Sequence, residues 1–303
     1  MTVSSFSIGK YTVAGAVLAP MAGYTDIAFR ELCKAFGAGL TVTEMVSVRG
    51  LVHGNAATAE LMRIADTEIP SCIQVFGSDP DDFARAASLI ESDIIDVNMG
   101  CPMPKIVKNG DGAALLKDPE KAGRIVKALV NATDKPITVK TRLGYETGAT
   151  TVGDLAESVL AAGASALTVH GRYAEQRYAG VADSTEIAKL ASRYDVPVIV
   201  NGDIKHAEYT PPFAGVMIGR AALDDPAVFC GGKSDPFDIA RRHMTLLRKY
   251  YDDRYSVNQA RKFFAHYFKC VRGGKALRDE VNRAASVADV LRALDKAEKY
   301  NQK

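Results

Sequence analysis

The chain has 303 residues, of which 47% are hydrophobic and 24% charged, with a formal net charge of +2, an ordinary balance for a globular protein with a large core. No apolar run approaches the roughly eighteen residues that a membrane helix needs, and the N-terminus lacks a basic start followed by an apolar stretch, so neither a membrane span nor a signal peptide is expected. Five scattered cysteines (Cys33, Cys72, Cys101, Cys230 and Cys270) form no C-x-x-C pair, which predicts reduced thiols, a cytoplasmic location and no structural metal.

Taken in chain order, short β-rich apolar runs recur: VLAPMA (17–22), LTVTEM (40–45), SCIQVFG (71–77), IIDVNMG (94–100), ITVKTRL (137–143), ALTVHGR (166–172), PVIVNGD (197–203) and GVMIGR (215–220). Helix-compatible stretches separate them. DPDDFARAASLI (79–90) and DPEKAGRIVKALV (118–130) open on Asp-Pro, a good helix start, and continue with helical apolar spacing. The alternation predicts an α/β fold with a parallel sheet, and eight strands predict a closed (β/α)8 TIM barrel. The seventh unit is irregular. Only eleven residues, IKHAEYTPPFA (204–214), precede the last strand, and Pro211-Pro212 precludes a regular helix through them.

GGKSDP (231–236) reads as a linker, and DIARRHMTLLRKYY (238–251), VNQARKFFAHYFKCV (257–271) and SVADVLRALDKAEKY (286–300) as amphipathic helices. The expected division is a barrel over residues 1–230 and a small C-terminal helical domain over 231–303. That tail carries 17 Lys and Arg against 9 Asp and Glu, a net of +8, which leaves −6 for the rest of the chain. A basic tail on an acidic body points to a polyanionic partner.

Barrels of this kind place their active sites at the C-terminal ends of the strands. Polar residues gather there: Met21 and Ala22, Glu44, Gln74, Asn98 with Cys101, Lys140 with Arg142, His170 with Arg172, Asn201 with Asp203, and Gly219 with Arg220. Core packing requires none of them. The turns NGDI and IGRA offer backbone N–H groups to a phosphate, with Arg220 as a charged addition. Lys140, inside a strand, either turns outward or, pointing into the barrel, needs an anion or an electron-rich partner. A flavin's N1/O2 edge and a Schiff base with a carbonyl substrate are both open. His170 can orient a carbonyl or a phosphate. Cys101, ahead of a mobile-looking glycine loop, can be a nucleophile or a proton donor; its immediate neighbours supply no base, which favours the donor.

The stretches APMAGYTDIAFR (19–30), GAGLTVTEM (37–45), IQVFGSDP (73–80), IIDVNMGCP (94–102), the GDGAALLKDP loop, VKTRLG (139–144), LTVHGR (167–172), VIVNGDI (198–204) and MIGRAAL (217–223) together resemble the tRNA-dihydrouridine synthase family. The resemblance spans the barrel and continues into the tail. It implies FMN-dependent reduction of particular uridines in tRNA to 5,6-dihydrouridine, with NADPH or NADH as electron donor. Carried over by motif, FMN contacts fall on Pro20, Met21, Ala22, Gln74, Lys140, His170, Asn201, Gly202, Asp203, Gly219 and Arg220. Hydride passes from N5 of reduced FMN to uracil C6, and Cys101 gives the proton to C5. Asn98, Lys140, His170 and Arg172 face the uracil ring or the flavin edge. A uridine in folded tRNA must be extruded into the barrel mouth, the 109–112 loop closes after docking, and the basic tail holds tRNA phosphates. A monomer is expected. The short seventh unit departs from the family's pattern beside the phosphate site. Three rivals remain open: a dihydroorotate-dehydrogenase-like enzyme, a flavin-free lyase using Lys140, and a non-catalytic tRNA-binding protein.

Overall fold

The structure is a computed structural model and describes residues 5–208 and 211–302. A hairpin of β1 (Ser5–Ile8) and β2 (Tyr11–Ala14) leads into a closed parallel barrel. Its staves are β3 (Val17–Leu18), β4 (Leu40–Val42) continued by β5 (Val46–Ser47), β6 (Ser71–Phe76), β7 (Ile94–Asn98), β8 (Ile137–Arg142), β9 (Ala166–His170), β10 (Val198–Asn201) and β11 (Gly215–Ile218). Pairing of β11 with β3 closes the ring. All eight expected strands are present, and the fold is a (β/α)8 TIM barrel followed by helices.

Along each strand, successive side chains face opposite ways. Ile73, Val75, Ile95, Val97, Val139, Leu167 and Val169 join the core beneath the helices, whereas Val17, Leu40, Cys72, Ile94, Ala166, Ile199 and Met217 form the inner cluster. Phe6, Ile8 and Val13 of the hairpin join that inner cluster and plug the N-terminal end of the barrel. Gly215 permits the close fit, since a Cβ there would stand 2.5 Å from Phe6 Cε1. Further up, the buried strand residues Gln74, Asp96, Asn98, His170 and Asn201 are polar. The barrel is therefore apolar at its floor and polar at its mouth.

The surrounding helices are α1 (Ile27–Ala35), α2 (Val48–Val52), α3 (Ala56–Glu60), α4 (Pro80–Ala87), α5 (Pro104–Lys108), α6 (Pro119–Ala132), α7 (Val152–Ala161), α8 (Thr185–Arg193) and α9 (Arg220–Asp224). Asp79 and Asp118 cap α4 and α6, accepting from the amides of Asp81 and Lys121 at 2.9 Å each, with proline in the first turn. Between β10 and β11 the described residues contain no helix, as the proline pair requires; Tyr209 and Thr210 of that expected truncation lie outside the described residues.

The tail is α10 (Pro236–Tyr250), α11 (Asp253–Tyr267), α12 (Gly274–Arg283) and α13 (Val287–Asn301). Three of these match the predicted helices. The fourth, α12, buries only Leu277 and Val281 besides its first glycine, too thin an apolar stripe to read in advance. The tail seats on α1, where the Phe263 ring lies 4.7 Å from Phe29 and 4.4 Å from His243. Among the described residues no helix is long and apolar enough to cross a membrane.

Candidate active site

Strand register sets Gln74 beside Asp96, Asn98 beside Lys140, and His170 beside both Arg142 and Asn201. A hydrogen-bonded chain then runs inward from the barrel wall. Thr138 Oγ1 donates to Asp96 Oδ1 at 2.6 Å, Gln74 Nε2 donates to Asp96 Oδ2 at 2.7 Å, and Asn98 Nδ2 donates to Gln74 Oε1 at 2.8 Å. Burial raises the Asp96 carboxyl above its usual range, while these donors pull it back. Each amide is thereby fixed in one orientation, leaving Asn98 Oδ1 to accept from the amides of Gly100 at 3.2 Å and Cys101 at 2.9 Å.

Arg142 grips the same turn from its other side, its Nε donating to the Gly100 carbonyl at 2.9 Å. Its Nη1 also reaches the carbonyls of Tyr173 and Arg177. The Cys101 carbonyl accepts from the Ala113 amide at 3.0 Å. The half-buried thiol is pushed above its ordinary value by burial, an effect only partly offset by the Met103 amide, Arg142 and Lys140. A thiol kept protonated suits an acid better than a nucleophile.

The glycine loop after Cys101 differs from its mobile-looking sequence. It folds as α5 and a 3-10 turn, Gly112–Lys117, with Gly112, Ala113, Leu115 and Leu116 buried. Gly112 has φ of +59°, and a Cβ there would stand 2.9 Å from the Cys101 carbonyl oxygen. That glycine serves a close approach to Cys101.

Lys140 faces into the barrel, its Nζ donating to Asn201 Oδ1 at 3.0 Å, and Asn201 Nδ2 donates to the Met217 carbonyl at 2.8 Å. Burial, then the nearby Arg142 charge, lowers Lys140 to about 8. Among the described residues Nζ has no other hydrogen-bond partner, so it keeps donors for a ligand. His170 is driven down to about 2 by burial and by the Lys140, Arg142 and Arg172 charges, so its imidazole is neutral. Its Nε2 lies 3.2 Å from Arg172 Nη1. Arg172 is only 1% exposed and donates to the carbonyls of Ala179 and Gly180 and to Asp203 Oδ2 at 2.6 Å.

Asp203 is a non-glycine residue at φ of +53°, and its Oδ1 accepts from Arg220 Nη2 at 2.7 Å. Arg172 foremost holds its carboxyl below the usual range. Gly202 has φ of +116°, with no room for a Cβ beside Ala182 and His170. The NGDI turn opens no helix, unlike the expected phosphate-binding start, whereas Gly219 immediately precedes α9.

At the opposite rim, Pro20 and Met21 are half-buried and Ala22 exposed. The Met21 carbonyl accepts from the amides of Tyr24 and Thr25, and its own amide donates to Thr25 Oγ1 at 3.0 Å. A Cβ at Gly219 would lie in ordinary contact, 3.6 Å from Met21 Sδ, so that strand end abuts this turn. The expected residues thus fall into connected groups around one mouth: Gln74, Asn98 and Cys101; Lys140 and Asn201; His170, Arg172, Asp203 and Arg220; and residues 20–22 with Gly219. The sequence reading omitted Asp96 and Thr138 and assigned no role to Arg142 or Glu44. Asp96 was detectable as a charged residue within an apolar strand. The donors suit a planar, electron-rich group with an anionic arm.

The family model described as Dihydrouridine synthase (Dus) matches residues 17–303. The chain belongs to the dihydrouridine synthase family. It is accordingly an enzyme, an oxidoreductase. A protein named tRNA-dihydrouridine synthase B from Pseudomonas syringae pv. tomato is 37% identical over 309 residues, covering 93% of this chain and 90% of that protein. A probable tRNA-dihydrouridine synthase from Rhizobium leguminosarum bv. phaseoli is 36% identical over 269 residues, covering 84% of each chain. Among solved structures, a 2-naphthoyl-CoA reductase complex aligns with a TM-score of 0.58 at 10% identity, covering 78% of this chain and 53% of that one. Morphinone reductase aligns with a TM-score of 0.54 at 10% identity, covering 78% and 92%. These distant likenesses support the barrel assignment of this family member.

Proposed function

We propose that the protein reduces uridines of tRNA to 5,6-dihydrouridine with FMN as its cofactor and NADPH or NADH as electron donor. The observation that carries this reading is the geometry of the Cys101 turn, gripped by Asn98, Arg142 and Ala113, at the mouth that also holds Lys140. The relatives named for tRNA supply the substrate class.

The residues fit FMN. Lys140 has donor capacity left beside Asn201 and lies on the barrel's axis side, where an electron-rich ring edge would complete its shell. Gln74, His170 and Asn201 ring the same mouth, Pro20, Met21 and Ala22 flank it, and Gly202, Asp203, Gly219 and Arg220 offer amides and a guanidinium to the phosphate. When bound, FMN supplies the hydride to uracil C6. The protein does the rest. Cys101 gives its proton to C5, Lys140 and Asn98 stabilise charge developing on the uracil carbonyls, and Arg172 holds His170 and Asp203 in place.

We assign residues 1–230 as the FMN barrel and the basic 231–303 tail as the tRNA-binding part of a cytoplasmic monomer. Anaerobic photoreduction followed by unmodified tRNA tests the reading. Rapid return of flavin absorbance, with a two-dalton gain in one nucleotide, is expected. Reoxidation by free pyrimidines but not tRNA would replace it with a small-molecule oxidoreductase.

A further inference from the structure

Helix α11 presents one stripe to the turn that carries Met21 and Ala22. Tyr255, Lys262, Phe263 and His266 recur at helical spacing. Tyr255 donates to Asp26 Oδ2 at 3.2 Å, and the Tyr24 ring meets Phe263 edge-on at 5.6 Å and His266 at 5.9 Å. Lys262 Nζ donates to the Gly23 carbonyl and lies 5.3 Å from the centre of the Tyr24 ring. On the amide side of the same glycine, Gly23 N donates to Glu44 Oε2 at 2.5 Å. Gly23 is at φ of +79°, a conformation other residues rarely adopt. Its two polar groups are therefore held from opposite partners, one in the barrel and one in the tail.

Both partners are partly buried, and each charge supports the other. Burial raises the Glu44 carboxyl while Lys262 lowers it; burial lowers the Lys262 ammonium while Asp26 and Glu44 raise it. Other ties between tail and barrel leave Gly23 alone. Lys249 pairs with Glu31 at 2.9 Å, and His266 Nδ1 with Asp224 Oδ1 at 2.8 Å.

We propose that Lys262 is a positioning residue for the cofactor turn, holding residues 21–23 against the barrel mouth so that tail docking and FMN binding are coupled. The proposal rests on the FMN reading above. Loss of Lys262 leaves the Gly23 carbonyl and the Glu44 carboxylate without their shared cation, and the turn that flanks the cofactor loosens.

The test titrates FMN into deflavinated wild type, Lys262→Met, Lys262→Arg and Lys249→Met, following quenching of flavin fluorescence and the visible spectrum. A charge-assisted contact of this kind predicts a Kd raised about tenfold in Lys262→Met, with Lys262→Arg recovering most of the loss. Lys249→Met, which breaks a tail–barrel ion pair away from the turn, is expected to bind FMN like wild type. Glu44→Gln keeps an acceptor oxygen but removes the counter-charge, and serves if Lys262→Met does not fold; its expected loss is about threefold to tenfold. Wild-type affinity in Lys262→Met, or in Glu44→Gln where it stands in, overturns the proposal. Equal weakening by Lys249→Met also overturns it, because general tail docking would then be responsible. A wild type that binds no FMN at all overturns the flavin reading itself, and the two failures are thereby told apart.

Discussion

Asn98 Oδ1 accepts the Cys101 amide at 2.9 Å, so the residue that carries the thiol is held from inside the barrel. Asn98 is oriented in turn by Gln74 and Asp96. Asn98→Ala releases the turn, and a displacement of about 1 Å in a reacting group costs on the order of 10²-fold in rate. Single-turnover oxidation of reduced enzyme by tRNA should show that loss with FMN still bound. A rate within a factor of about two of wild type would disprove the positioning.

Cys101→Ala should slow the same step by about 10² to 10⁴-fold, the usual weight of one positioned acid. The thiol is half-buried and has only the Met103 amide beside it as a hydrogen-bond donor, so melting temperature should stay close to the wild-type value. If the proton comes from solvent instead, the variant will turn over normally.

Lys140 has its pKa lowered from 10.5 to about 8. Its folded form sheds a proton more readily than the unfolded chain, so the charged lysine costs stability below that value. On this group's account, stability rises between about 8 and 10.5. An electron-rich acceptor beside Nζ favours the charged form and opposes the shift. Calorimetry in buffers of different ionisation enthalpy should therefore show FMN binding taking up close to one proton at pH about 9 and little at pH about 6.5. Lys140→Met should abolish the uptake. Equal proton counts at both pH values would remove Lys140 from the cofactor's contacts.

Asp26 caps α1, accepting the Phe29 amide at 2.9 Å, yet burial raises its carboxyl from 3.8 to about 6. The ionised form is thus a burden above about pH 6, and stability on this account increases as pH falls from there toward 3.8. Asp26→Asn keeps a capping oxygen without the charge. Thermal melts at pH about 7.5 should find it as stable as wild type or more so, by at most about 3 kcal/mol, with the difference gone near pH 4. A lower melting temperature at the higher pH would mean that the Arg30 and Tyr255 contacts outweigh desolvation.

The barrel was legible because parallel strands covered on both faces read as continuous apolar runs, and because Cys101, Lys140 and Arg220 fall just where such runs end. The hairpin was not. Ser5–Ile8 and Tyr11–Ala14 are four residues each, and the Gly9-Lys10 turn between them is a weaker hairpin signal than Asn-Gly or Asp-Gly. The thiol was legible, but its surroundings were not, since Asn98, Arg142 and Ala113 converge only through strand register and the return of the chain at Gly112. Lys262 lies more than two hundred residues from Gly23 and reads simply as one more cation in a basic tail.

The hairpin's three apolar side chains make the barrel a vessel with a sealed base. On the proposed reading, electron donor and RNA must then both arrive through the upper opening of the barrel. They take turns. On that same reading the catalytic cycle divides into two half-reactions, and either reactant in excess is expected to inhibit the other's half.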